Sequence, residues 1–213
     1  MLKDIQLHVE QDEALQHAIE QSTAPEINRR VLDNSISFQH VIPTVYQQIR
    51  TNQSRNASIF CNRAGELNIF DYRAGGVLYG LHPRQEIDRQ LASYVRHPVK
   101  ISLAEHGEST RNDAEILKGV DSPVDTHRAN NQPLPPNINV MVVFGIGLGY
   151  HIAELIERFS IKHLIVYEPE FAYFRCSLSA TSWKQILNTA SKKGTALYLQ
   201  LEQDGSRFTD DLQ

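Results

Sequence analysis

Apolar positions recur at helical spacing through the first fifty residues: Leu2, Ile5 and Val9, then Leu15 and Ile19. The spacing predicts helices there, with another over residues 44–49, because Pro43 suits a helix start and no helix interior. From Ser58 the period shortens. The runs SIFCN, LNIFDY and VLYG are separated by RAGE and RAGG, which predicts a three-stranded antiparallel meander with glycine in its turns. The tetrapeptides Arg63-Ala64-Gly65-Glu66 and Arg73-Ala74-Gly75-Gly76 read as two similar turns rather than an internal repeat. After His82-Pro83, Ile87, Leu91, Tyr94 and Val95 share one helical face with charges opposite. A short helix is expected over 113–118.

Residues 121–139, DSPVDTHRANNQPLPPNIN, hold four prolines and little apolar periodicity, the mark of a connection. We therefore expect an α+β domain over 1–125, a linker over 126–139 and a second domain from 140 onward. Beyond the linker the order is strand, glycine-rich turn, helix, strand, two helices, strand. The strands are expected over 140–144, 163–167 and 196–201, the helices over 151–159, 171–178 and 182–191. That alternation implies a parallel sheet. The fold class is thus α/β: an N-terminal α+β domain with a small meander, then an incomplete Rossmann-like parallel sheet. Doubly wound sheets normally carry about five or six strands, so residues 140–213 are expected to be the first part of such a domain, in a piece of a longer chain.

Composition adds exclusions. A hydrophobic content of 41% and a charged content of 22% are ordinary for a globular chain. A formal charge of -4 and a pI near 6.1 supply no electrostatic reason for a nucleic-acid or membrane-surface partner. The acidic start resembles no signal peptide, and no run approaches the roughly 18 apolar residues of a membrane span. A cytoplasmic location is expected. The two cysteines, Cys61 and Cys176, sit in apolar segments and read as reduced core thiols. The histidines show no zinc-like spacing with Cys, Asp or Glu, so no metal is expected.

The chemistry concentrates in Gly145-Ile146-Gly147-Leu148-Gly149, between a buried strand and an amphipathic helix. Glycines open backbone conformations closed to other residues and admit a ligand close to the main chain. The helix amino terminus offers unpaired N–H groups to an anion. Glu168 ends the second strand, near the roughly twenty-residue spacing at which Rossmann-type domains place a ribose-binding acid. A dinucleotide fingerprint would want glycine where Tyr150 stands, which weakens NAD. Methyltransferases that use S-adenosylmethionine commonly carry an acid where Val143 stands, which weakens methyl transfer. Tyr167, Phe171, Tyr173 and Phe174 are close enough in sequence to stack on a base, but packing of the following helix is the favoured reading.

The words FGIGLGYHIAELIE and HLIVYEPEFAYF resemble the glycine-rich and strand-end motifs of the motility accessory factor (Maf) family, which is also grouped with MptE-like proteins. The stretch 56–100, with its N-I-F-D and L-Y-G-L-H-P words, is similar to the domain that precedes that central domain. The resemblance implies a glycosyltransferase that passes a CMP-activated nonulosonic acid, such as pseudaminic, legionaminic or sialic-type sugars, to flagellin hydroxyls in the cytoplasm. It implies a CMP-sugar donor and no firm cofactor. By position it places Gly145, Gly147 and Gly149 against the nucleotide and Glu168 near the ribose. His151 is the candidate base; Asp71, Glu154 and Glu170 have less support. Activity is expected to need sequence outside this chain. Two alternatives stand beside it: a non-catalytic flagellin-binding module formed by residues 1–125, and an MptE-like pterin pyrophosphokinase, which would need magnesium and carboxylates. An unfinished sheet edge over 195–201 also makes a homo-oligomer plausible.

Overall fold

The computed structural model describes residues 5–99 and 133–201. Among these, residues 5–89 and 135–201 belong to one compact unit and the remainder to a second. The helix expected over 113–118 and much of the linker expected over 126–139 lie outside the described residues. Secondary structure on both sides of that expected linker packs into the same unit.

Helix α1 spans Glu13–Val41. It starts where the Asp12 carboxylate accepts from the amides of Ala14 (2.9 Å) and Leu15 (3.2 Å), a capping arrangement that satisfies two otherwise unpaired donors. It continues through Pro25. Helix α2 spans Pro43–Thr51, with proline in the first turn, where its missing N–H costs nothing.

The meander consists of β1 (Ala57–Cys61), β2 (Leu67–Asp71) and β3 (Gly76–Val77), antiparallel in that order, with Ile59 opposite Ile69. Its two turns share one mechanism. Asn62 Oδ1 accepts from Ala64 and Glu66, and Asp71 Oδ1 accepts from Arg73 and Ala74; glycine then takes the left-handed position at Gly65 (φ 75°) and Gly75 (φ 71°). The repeated tetrapeptides are therefore turns. Helix α3 (Pro83–Arg96) follows, with Ile87 and Leu91 buried.

Strands β4 (Asn137–Phe144), β5 (Ser160–Tyr167) and β6 (Ala196–Gln200) form a parallel sheet in sequence order. Helix α4 (Tyr150–Arg158) joins the first two strands, and α5 (Phe171–Ala180) and α6 (Trp183–Lys193) join the last two. Lys193 Nζ donates to the carbonyls of Ile156 (2.7 Å) and Glu157 (2.6 Å), capping the end of α4 with a cation.

Helix α1 docks on α5 and α6 through a buried asparagine. Asn34 Nδ2 donates to the carbonyls of Leu178 (2.8 Å) and Thr181 (2.9 Å), and its Oδ1 accepts from Lys184 N–H (3.1 Å). One turn on, Phe38 packs with Phe174 and Trp183 at centroid distances of 5.6 Å each. Phe171 and Phe174 are buried in this packing, as the favoured reading of the aromatics expects, while Tyr167 lies edge-on to Phe144 at 6.1 Å. On its other side α5 meets the meander: Ile69, Ile87, Leu148, Cys176 and Ala180 form one apolar cluster. Cys61 and Cys176 are buried free thiols, and burial pushes the Cys176 thiol up to about 12.

Candidate site at the glycine turn

The turn leaves the carboxyl end of β4, where ligands of parallel sheets bind. Gly145 N–H donates to Tyr167 O at 2.8 Å, so the ladder with β5 runs one residue past the strand. Gly145, Gly147 and Gly149 all have positive φ, at 86°, 50° and 81°. Between them Ile146 and Leu148 are fully buried. The alternation lets the chain reverse while both aliphatic side chains point into the core.

The three glycines face different surroundings. A Cβ on Gly147 would lie 2.0 Å from the Tyr79 hydroxyl, and one on Gly149 would lie 2.8 Å from Thr181 Cγ2. These two positions are closed by the protein itself. A Cβ on Gly145 would meet nothing within 4 Å. The open side of the turn is therefore at Gly145.

Glu168 lies at the end of β5, only 2% exposed, with its side chain directed at the backbone. Oε2 accepts from Ile146 N–H at 2.7 Å and Oε1 from Glu170 N–H at 3.0 Å. Burial raises its pKa; the hydrogen bonds from Ile146, Glu170 and Gly147 offset only part of that. A ribose hydroxyl at Glu168 would share the carboxylate with these donors. Leu148 N–H in turn hydrogen-bonds to the Tyr79 hydroxyl, whose burial pushes the phenol up to about 12.

The amides of Ile146, Gly147 and Leu148 thus have protein acceptors, and Gly149 N–H donates to Ile146 O at 2.7 Å. Helix α4 begins without a side-chain cap. Its first amides and its positive dipole end are what the turn offers an anion. The Arg84 guanidinium sits 4.1 Å over the Tyr150 ring at the same helix end, adding a cation.

His151 places Nε2 3.1 Å from Gly145 O, and burial holds its pKa below the ordinary 6.5 despite that bond. A neutral imidazole that donates from Nε2 to a carbonyl carries its lone pair on Nδ1. The lesser base candidates are engaged elsewhere. Asp71 accepts a hydrogen bond from the Tyr173 hydroxyl. Glu170 accepts from Ser54 Oγ and Asn56 Nδ2, both at 2.9 Å, caps α5 at Ala172, and pairs with Arg73 at 3.0 Å. Glu154 pairs with Arg158 at 3.2 Å. Among the described residues, no group of three His, Cys, Asp or Glu side chains could hold a metal ion, and no helix is long and apolar enough to cross a membrane.

Tyr79 and Arg84 are the residues that sequence spacing missed, because they reach the turn and its helix from another part of the chain, Tyr79 held in place by Asn68. The N-I-F-D and L-Y-G-L-H-P words marked their neighbourhood.

Residues 32–213 match the model of the glycosyltransferase Maf N-terminal domain. Among solved structures, a Maf glycosyltransferase from Magnetospirillum magneticum AMB-1 is similar in fold, with a TM-score of 0.62 and 23% identity. The match covers 87% of this chain and 29% of that one, so the chain spans less than a third of the solved relative. No curated protein matches.

Proposed function

Because the chain belongs to the glycosyltransferase Maf N-terminal domain family, we propose that it carries the donor-nucleotide part of a flagellin glycosyltransferase using a CMP-activated nonulosonic acid. The observation that carries this reading is the glycine turn, open at Gly145 and leading into an uncapped helix at the carboxyl end of a parallel strand. The cytidine nucleotide would approach the turn at Gly145, the one of the three glycines that no protein side chain closes, with its phosphate toward the first amides of α4. Glu168 would stand near the ribose while shaping the turn.

In the transfer, the bond from the anomeric carbon to the phosphate oxygen breaks with both electrons leaving on CMP. A flagellin serine or threonine hydroxyl forms the new bond and gives up its proton to a base. His151 is the candidate, since its neutral ring holds a lone pair on Nδ1. Phosphate binding at the helix end stabilises the charge that develops on the leaving group.

Glu168 and Glu170 are committed to backbone and side-chain donors, which favours this reading over a pyrophosphokinase needing carboxylates for magnesium. The reading is tested by calorimetric titration of CMP, and of ATP with magnesium, into the chain and into Gly145→Val. That side chain would project where no protein atom lies, and circular dichroism checks that the strained position still folds. CMP binding that the variant loses supports the reading. Binding unchanged in the variant removes the nucleotide from the turn. An absence of CMP binding by the wild type overturns the reading for this chain and moves a flagellin-docking module to the front.

A further inference from the structure

The segment 78–81 makes no regular structure after β3, yet two buried asparagines of the meander hold it in place. Asn68 Oδ1 accepts from Tyr79 N–H (3.3 Å), and Asn68 Nδ2 donates to the carbonyls of Tyr79 (2.8 Å) and Gly80 (3.0 Å). Asn62 Nδ2 donates to Leu81 O at 2.7 Å. Glu86 from α3 accepts from Gly80 N–H at 2.8 Å. Both asparagines are fully buried, and a buried amide side chain left without partners costs free energy. Their bonds therefore specify one position for Tyr79.

That position brings the Tyr79 hydroxyl onto Gly147 and into a hydrogen bond with Leu148 N–H. Any side chain at 147 would displace the hydroxyl. The turn is held by two acceptors from different parts of the chain: the Glu168 carboxylate from β5's end takes Ile146 and Gly147, and the Tyr79 hydroxyl from the meander takes Leu148. The half-sheet alone would lack the second.

We propose that Tyr79 is a positioning residue of the glycine turn, so that the ligand affinity of the turn depends on the meander as well as on the sheet. The proposal rests on the nucleotide reading for its ligand. Its geometry is independent of that reading. Tyr79→Phe keeps the ring and removes only the acceptor.

The test uses the whole chain. CMP affinity is measured well below the melting temperature, beside hydrogen exchange of the Leu148 amide. Tyr79→Phe is expected to weaken CMP binding roughly fivefold, the worth of one lost hydrogen bond, and to speed Leu148 exchange. A purely structural role would lower the melting temperature and leave the affinity of the folded protein unchanged. Unchanged affinity in a variant whose wild type binds CMP overturns the proposal. Where the wild type binds no CMP, the nucleotide reading fails by itself, and unchanged Leu148 exchange in the variant overturns the positioning role. Should the variant not fold, rapid Leu148 exchange in the wild type overturns it.

Discussion

Ile146 N–H donates to Glu168 across 2.7 Å, tying the first buried residue of the glycine turn to the end of the neighbouring strand. The carboxylate is the only type of side chain of this size that accepts on both oxygens without presenting a donor. Glu168→Gln turns an NH2 group toward an amide already donating. A loss of about 1–3 kcal/mol in unfolding free energy is expected, read from urea denaturation. A variant as stable as the wild type would show that the bond contributes nothing.

The same residue makes a pH prediction. Burial holds the folded-state pKa of Glu168 above its ordinary 4.5, so the folded protein binds this proton more tightly than the unfolded chain. Its contribution is complete below that ordinary value and is lost as pH rises through the raised one. Glu168→Gln should therefore reduce the fall in stability over that window. Denaturation midpoints of variant and wild type at a series of pH values check it; parallel curves would contradict it.

Gly147 and Gly145 separate backbone strain from crowding. Both have positive φ, which costs an L-residue about 1–2 kcal/mol. Only Gly147 would also push its Cβ against Tyr79. Gly147→Ala should lower the melting temperature more than Gly145→Ala, and Tyr79→Ala should recover part of the difference in the double variant. Equal effects of the two single substitutions would mean that Tyr79 moves aside freely.

The sequence made some of this legible for stated reasons. The meander was readable because its turns need glycine after an asparagine or aspartate, and the parallel sheet because strands and helices alternate. Strands β4 and β5 nonetheless begin at Asn137 and Ser160, earlier than the apolar runs suggested. A hydrophobic run marks only part of a strand, whereas the ladder extends into polar residues, as in the bond from Ser160 N–H to Pro136 O; the run of β4, expected to be buried, has Met141 as its one buried residue. The single long α1 was hidden because one of its two buried positions is Asn34, which no apolar pattern detects. Spacing placed Glu168 at the strand end, but the direction of its side chain depends on three backbone donors that only the folded turn brings together. Tyr79 was invisible for the same reason: 68 residues separate it from Gly147 in the numbering, and tertiary pairing alone joins them.

On the acid side the contacts between the meander and α5 should decide stability. Burial would raise the pKa of Glu170, but Asn56, the Ala172 amide, Ser54 and Arg73 outweigh it and hold it below the ordinary 4.5. Asp71 likewise stays below 3.8, where Tyr173, the turn amides and Arg73 outweigh its burial. Both contributions are present above those ordinary values and are lost as pH falls through the lowered ones. Glu170→Gln with Asp71→Asn should flatten the acid limb of a stability curve measured from about pH 6 to about pH 3. A limb as steep as that of the wild type would place the acid-sensitive groups elsewhere.

Asn34 offers the sharpest test of how α1 is joined to α5 and α6. Its amide ends the unpaired carbonyls of Leu178 and Thr181 at the close of α5 and accepts the Lys184 amide at the start of α6. Substitution by leucine preserves size and adds apolar surface, so a purely hydrophobic contact would tolerate it. Here it leaves the two buried carbonyls and the part-buried Lys184 amide without their partner. A buried unsatisfied group costs about 1–3 kcal/mol, and partial relaxation toward water keeps the sum below three full penalties. Asn34→Leu should therefore cost about 3 kcal/mol and lower the melting temperature by several degrees, whereas Leu32→Ala, at a position 60% exposed on the same helix, should change stability by less than about 0.5 kcal/mol. A tolerated Asn34→Leu would mean that α1 is held by Phe38 and its aromatic neighbours alone.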